Sequence, residues 1–127
     1  MQTTELINVV QQRADIESTE AANDTLIAVL TTLAERDLEG EHENFAAQLP
    51  KEFGEVLLHG DPKDKETFDA EEFVRRIGER LGTTPDHTET RTRAAFSALV
   101  EGVSDGEQLD LLNSLPNDFS PYAIWQV

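Results

Sequence analysis

Proton transfer and metal binding would have to draw on three histidines, His42, His59 and His87, and on a large excess of carboxylates. Histidines that share a metal on one helix face stand three or four residues apart, as in His-Glu-x-x-His; these three are 17 and 28 residues apart. His42 lacks the facing carboxylates that complete a di-iron Glu-x-x-His pair. Asp61, Asp64, Glu66 and Asp69 suggest a calcium loop, but an EF-hand needs oxygen side chains at alternate positions and a glycine at the sixth. Lys63 and Lys65 occupy the alternate positions and Glu66 stands at the sixth. The expectation is a solvated connector and rim histidines, with no metal site. Ser18, Ser97, Ser104, Ser114 and Ser120 are not in a Gly-x-Ser-x-Gly elbow. Neither Gly-x-Gly-x-x-Gly nor Gly-x-x-x-x-Gly-Lys occurs, so no phosphate loop or nucleotide cofactor is implied. With no cysteine, disulfides and thiolate chemistry are excluded.

Charge is the strongest compositional signal. There are 26 Asp and Glu against 10 Lys and Arg, a formal charge of −16 on 127 residues. That balance opposes binding to nucleic acid or to an anionic membrane surface, both of which recruit positive charge. It does not imply disorder: Leu, Ile, Val and Phe make up 33 of the 127 residues, above the roughly 20% below which disorder is expected. Dispersed acid repels itself in dilute buffer and is tolerated where molar salt shortens screening to about 3 Å. The composition therefore suggests a salt-adapted, halophilic protein, with an ordinary acidic protein as the alternative. The opening residues show neither a basic segment nor an apolar one, and no apolar run approaches the ~18 residues of a membrane span. A cytoplasmic location is expected.

Two features run against the acidic background. Arg75, Arg76, Arg80, Arg91 and Arg93 gather in residues 75–93, where only Glu79, Asp86 and Glu89 oppose them, leaving 5 − 3 = +2. They form either an anion or partner-docking patch or intrahelical pairs, since Glu71–Arg75, Glu72–Arg76 and Glu89–Arg93 all stand at i, i+4. The tail Tyr122-Ala123-Ile124-Trp125-Gln126-Val127 is largely apolar. Either it closes the core, as the match of Ile124 to apolar Leu58 favours, or Tyr122 and Trp125 are interface anchors.

Whatever the site, helices must position it. Shifting the chain by 66 lays residues 28–59 on 94–125 with eight identities in 32 pairs: Ala28/Ala94, Leu33/Leu99, Glu35/Glu101, Gly40/Gly106, Glu41/Glu107, Leu49/Leu115, Pro50/Pro116 and Phe53/Phe119. About two would arise by chance from average residue usage. Upstream, a shift of 67 pairs Leu6 with Phe73, Val10 with Ile77 and Arg13 with Arg80. His59 falls on Trp125, so the repeat does not reproduce it as a ligand. The pattern predicts a single all-α domain over 1–127 made of two pseudo-symmetric repeats, about 4–59 and 69–125, with a connector at 60–68 and about four helices in each repeat.

In the first repeat Leu6, Val9 and Val10 share a helical stripe, and Ala22, Leu26, Val29, Leu30 and Leu33 share a longer one. Ser18 or Thr19 is the expected cap of the second helix and Gly40 its stop. A third helix is predicted over Glu41 to Gln48 and a fourth over about 50–58, opened by Pro50. In the second repeat Asp69 with Glu72, and Ser104 with Glu107, read as capping boxes, and Thr84-Pro85 opens a helix. Pro121 is expected to interrupt the last element, leaving a short or broken helix ending near Trp125.

The run Ala46-Ala47-Gln48-Leu49-Pro50-Lys51-Glu52-Phe53, after Gly40-Glu41 and the helix of Leu26 to Leu33, resembles the uncharacterised family catalogued as domain of unknown function 2267. Its members are small helical proteins whose two halves each carry a Gly-Glu and then a Gln-Leu-Pro-type turn. Here the second half departs, with Asn113-Ser114-Leu115-Pro116-Asn117-Asp118-Phe119. The resemblance covers roughly Glu5 to Trp125 and implies a fold but no activity. The turn itself is explained structurally, because Leu and Phe on either side of the proline both reach the core. Taken together, these residues suggest a non-enzymatic helical module that binds another protein, or itself, through an apolar or arginine-bearing groove. The alternative is a small-molecule-binding or enzymatic domain with a site assembled from distant residues; an acidic mimic of nucleic acid is a third.

Overall fold

Capping side chains and proline positions set where the helices begin. The structure, a computed structural model, describes residues 1–125. Helix α1 runs Thr3–Ala14, α2 Thr19–Glu35, α3 His42–Ala47 and α4 Lys51–Leu57; after a 3-10 turn at Pro62–Asp64 come α5 Ala70–Leu81, α6 Pro85–Glu101 and α7 Asp105–Asn113. A 3-10 turn at Asn117–Phe119 leads directly into α8, Ser120–Ala123. No strand occurs among the described residues, only an isolated bridge between Arg36 and Glu66. Ser18 caps α2 by accepting from the Ala21 N–H, and Asp69 caps α5 by accepting from that of Glu72. Gly82, at φ 67°, closes α5 in the left-handed conformation that glycine adopts without strain.

Several helix spans recur at the sequence shift, although α7, Asp105–Asn113, begins three residues before the shifted position of α3. Thr3–Ala14 and Ala70–Leu81 differ by 67 at both ends; Thr19–Glu35 and Pro85–Glu101 differ by 66, as do Lys51–Leu57 and the stretch 117–123. The halves interlock rather than sit side by side. Helix α1 packs on α6 and α5 packs on α2, while α3 meets α7. Two reciprocal arginine clasps cross between them. Arg13 donates to Ser97 Oγ at 2.8 Å and to Glu101 Oε1 at 3.0 Å, and Arg80 donates to Thr32 Oγ1 at 2.5 Å and to Glu35 Oε2 at 2.6 Å.

The shared core lies between α1, α2, α5 and α6. Leu6, Leu26, Leu30, Leu33, Phe73, Ile77 and Phe96 are fully buried there. Phe73 meets the edge of Phe96 at 5.8 Å and tilts against Phe119 at 5.3 Å, favourable aromatic geometries. In both Leu-Pro turns the leucine and phenylalanine face inward: Leu49, Phe53, Leu115 and Phe119 are all buried.

Four local expectations need correction. Helix α2 ends at Glu35, not near Gly40, because the chain leaves it extended and pairs with the connector: Asp37 N–H donates to Glu66 O at 2.7 Å and Glu66 N–H to Glu35 O at 2.8 Å. Gly40, at φ 89°, turns the chain into α3 instead. The connector is therefore tied down: the buried Arg36 donates to the carbonyls of Phe68 and Asp37, each at 2.6 Å, and lies over the Phe68 and Phe119 rings. The last element is short and broken as expected, a 3-10 turn followed by the four residues of α8, but Pro121 does not interrupt it and sits in the first turn of α8, where a missing N–H breaks no bond. Ile124 does not pack inward, being 52% exposed, and its counterpart Leu58 is 49% exposed. The last two residues of the apolar tail lie outside the described residues. Among the described residues no helix is long and apolar enough to cross a membrane.

Candidate functional site

Helix α5, the N-terminal turn of α6 and the α8 segment enclose an open groove of about 760 Å³. Its floor exists because α5 and α6 approach closely at Gly78, where an added Cβ would stand 3.0 Å from Thr88 Oγ1. Thr88 is buried and bonded at 2.9 Å to the Thr84 carbonyl and at 2.6 Å to Thr83 Oγ1, which fixes that side of the groove. Val74, Pro85 and the half-buried Tyr122 supply apolar wall. Burial, with the Glu89 charge nearby, pushes the Tyr122 hydroxyl above its ordinary range, so it stays a neutral donor. Asp69, Glu71, Glu79, Glu89 and Asp118 line the rim against Arg75 alone, giving 1 − 5 = −4.

Arg75 is itself matched by acid, donating at 2.7 and 2.8 Å to Glu72 and pairing with Glu79. Those bonds, with the Arg76 bond beside them, hold the Glu72 carboxyl down at about 2. The expected Glu72–Arg76 pair forms at 2.7 Å, but Arg76 also reaches out of its helix to Glu66 at 2.9 Å and Glu35 at 3.2 Å, and lies 4.2 Å over the Phe68 ring. Arg80 joins the same network through Glu35. Burial opposes ionisation of Glu35, yet the hydrogen bonds from Arg80 and Arg76 leave its pKa lowered. Arg76 and Arg80 thus stitch α5 to α2 and the connector through Glu35 and Glu66, which intrahelical spacing did not select, while Arg75 pairs within α5. Among the described residues, Arg91 and Arg93 make no ion pair, and the expected Glu71–Arg75 and Glu89–Arg93 pairs do not form. Trp125 is half-buried, with the Arg13 guanidinium 5.6 Å from its ring.

One family match takes in α1 through α7 and all but the last residue of α8. Residues 3–122 match the family described as "Uncharacterized conserved protein (DUF2267)". The chain belongs to the DUF2267 family. A search of curated proteins found no match.

In this DUF2267 chain a second polar cluster lies where α3 meets α7. Glu41, Glu107 and Asp110 each place a carboxylate oxygen within 4.8 Å of the others. Glu107 is 6% exposed and its Oε2 has no hydrogen-bond partner. Burial, then the close Glu41 carboxylate, then repulsion from Asp110 push the Glu107 carboxyl up to about 7. Ser104 does cap α7, accepting from the Glu107 N–H at 3.2 Å, but the capping box is half made. The Ser104 N–H goes instead to Gln48 Oε1 of the other half at 2.7 Å, leaving the Glu107 carboxylate to turn toward Glu41. Sequence reading paired Glu41 with Glu107 as repeat equivalents without bringing them together; the half-made box has no one-dimensional signal.

The histidines do not converge. His59 and His87 are exposed, and half-buried His42 sets Nε2 3.2 Å from the Leu33 carbonyl, where burial lowers its pKa.

Proposed function

We propose that this protein is a helical protein-interaction module whose α5–α6–α8 groove binds a basic, amphipathic segment of a partner protein. The observation that carries this reading is the combination in one groove of an aromatic anchor, an apolar wall and a rim of net −4. Charge of that sign recruits lysine and arginine and disfavours acidic peptides or nucleic acid. The arginine-bearing surface is the weaker docking face, because Arg75, Arg76 and Arg80 already share their charge with Glu35, Glu66, Glu72 and Glu79. A second groove of about 710 Å³ between α2, α4 and the connector is spanned by Lys65, whose Nζ is held by the Ala34 and His59 carbonyls at 2.5 and 3.1 Å. That groove serves to anchor the connector.

In this reading the overall charge of −16 is an adaptation to a salt-rich cytoplasm and the two halves are copies of one unit. One titration series tests it: an amphipathic Lys/Leu peptide, with its Glu/Leu counterpart as control, added to the full chain from low to molar KCl. Fluorescence anisotropy should show binding of the basic peptide alone, weakened roughly tenfold by Tyr122→Ala or Val74→Ser, as for a central apolar anchor. The protein's melting temperature should rise along the same series. Equal binding of both peptides, or indifference to the two substitutions, overturns the groove assignment, and a flat melting temperature overturns the salt adaptation.

A further inference from the structure

We propose that Glu41, Glu107 and Asp110, with Asn44 beside them, form a binding site for a hard divalent cation, Ca²⁺ foremost, at the junction of the two halves. The placement is not a chance gathering of surface acid. Under the shift of 66, Glu41 pairs with Glu107 and Asn44 with Asp110, so each half contributes the same Glu-x-x-Asn/Asp run. Helices α3 and α7 bring the two runs face to face. On the α3 side Asn44 Nδ2 approaches Glu41 Oε2 at 3.4 Å, turning the amide toward the carboxylates.

Glu107 separates this cluster from the many exposed acids of the surface. The residue is more than nine-tenths buried, its carboxylate is turned into the cluster, and Oε2 has no hydrogen-bond partner among the described residues. A buried acceptor left unmatched is destabilising unless something meets it. The carboxylates that face it, Glu41 and Asp110, are of its own sign, and among the described residues it makes no salt bridge. His42, the nearest imidazole along α3, is engaged with the Leu33 carbonyl. The N-terminal ends of α3 and α7 offset only about half a charge each, against three carboxylates.

The dimensions and chemistry suit an oxygen-ligated ion. Ca²⁺ takes oxygens at about 2.3–2.6 Å, so two ligands across it stand up to about 5 Å apart, and the three carboxylate oxygens lie within 4.8 Å. Carboxylate oxygens, with neither thiolate nor imidazole among them, select Ca²⁺ or Mg²⁺ over softer metals. Mg²⁺, at about 2.0–2.1 Å, demands tighter octahedral closure. Asp110 is exposed, which leaves the ion open to water for its remaining coordination.

Calorimetric titration of CaCl₂, and separately MgCl₂, into the EDTA-treated full chain at pH 8 in 0.5 M KCl tests the site, since that salt screens the dispersed surface acids. One equivalent of Ca²⁺ should bind, with Mg²⁺ weaker. Glu107→Gln should weaken binding by roughly tenfold or more and Asp110→Asn should also weaken it, as loss of ligand charge does. Glu43→Gln, an exposed neighbour on α3 outside the cluster, should leave it unchanged. Absence of a stoichiometric site, or equal binding by the wild type and both cluster variants, overturns the proposal. So does a Glu107→Gln chain that melts higher than the wild type while neither responds to Ca²⁺; the cluster is then a carboxyl pair sharing a proton.

Discussion

Glu107 stands three residues after a serine cap, where a glutamate is expected to reach back and close the box. The residue types announced that bond and the fold withheld it, because Gln48 from the other half takes the Ser104 N–H. The freed carboxylate is buried against two others, with a consequence for stability. Its folded pKa of about 7 lies above the ordinary 4.5, so between those values the folded chain binds more protons than the unfolded one. Stability therefore falls as pH rises through that window, and the penalty is complete above it. Glu35, Glu66 and Glu72 have lowered values and act oppositely, their contribution being lost as pH falls below the ordinary carboxylate range. In EDTA, Glu107→Gln should raise stability at pH 8 relative to pH 5 by on the order of 1–3 kcal/mol. Denaturant melts at the two pH values check this, and an equal effect at both would show that Glu107 ionises freely.

At the scale of elements, the helices were legible where a local rule fixes them. Ser18, Asp69 and Pro85 marked their starts, and the apolar stripes marked the faces that bury. Where tertiary contact overrides the local rule, the reading failed. Helix α2 stops at Glu35 because the connector offers its backbone a partner, and no residue at positions 36–39 advertises that. Identical residues also serve different elements: Gly40 needs its positive φ, whereas its repeat partner Gly106 sits within the ordinary helix α7. Glycines therefore separate two effects. A Cβ at Gly54 would lie 2.8 Å from the Ala46 carbonyl oxygen, where α3 and α4 touch, while one at Gly106 meets nothing within 4 Å. Gly54→Ala should destabilise by about 1–3 kcal/mol through overpacking, and Gly106→Ala should stabilise by about 0.5 kcal/mol through helix propensity. Urea melts of both variants test this, and stabilisation by Gly54→Ala would contradict the close α3–α4 approach.

For the whole molecule, composition and the repeat shift gave the all-helical class, but not how the halves engage. Which helix packs on which depends on the crossing of α1 over α6 and α5 over α2, and pairs such as Arg80 with Glu35 are 45 residues apart. The groove was legible only in part. Tyr122 and Arg75 were singled out, yet the net −4 of the rim comes from acids scattered between Asp69 and Asp118. A two-dimensional NMR titration of the full chain with the basic amphipathic peptide in molar KCl addresses the groove most directly. The account predicts shifts concentrated at Val74, Gly78, Thr88 and Tyr122, with the Ile27 and Val56 groove undisturbed. Changes spread evenly over the acidic surface, or centred on α2 and α4, would contradict it.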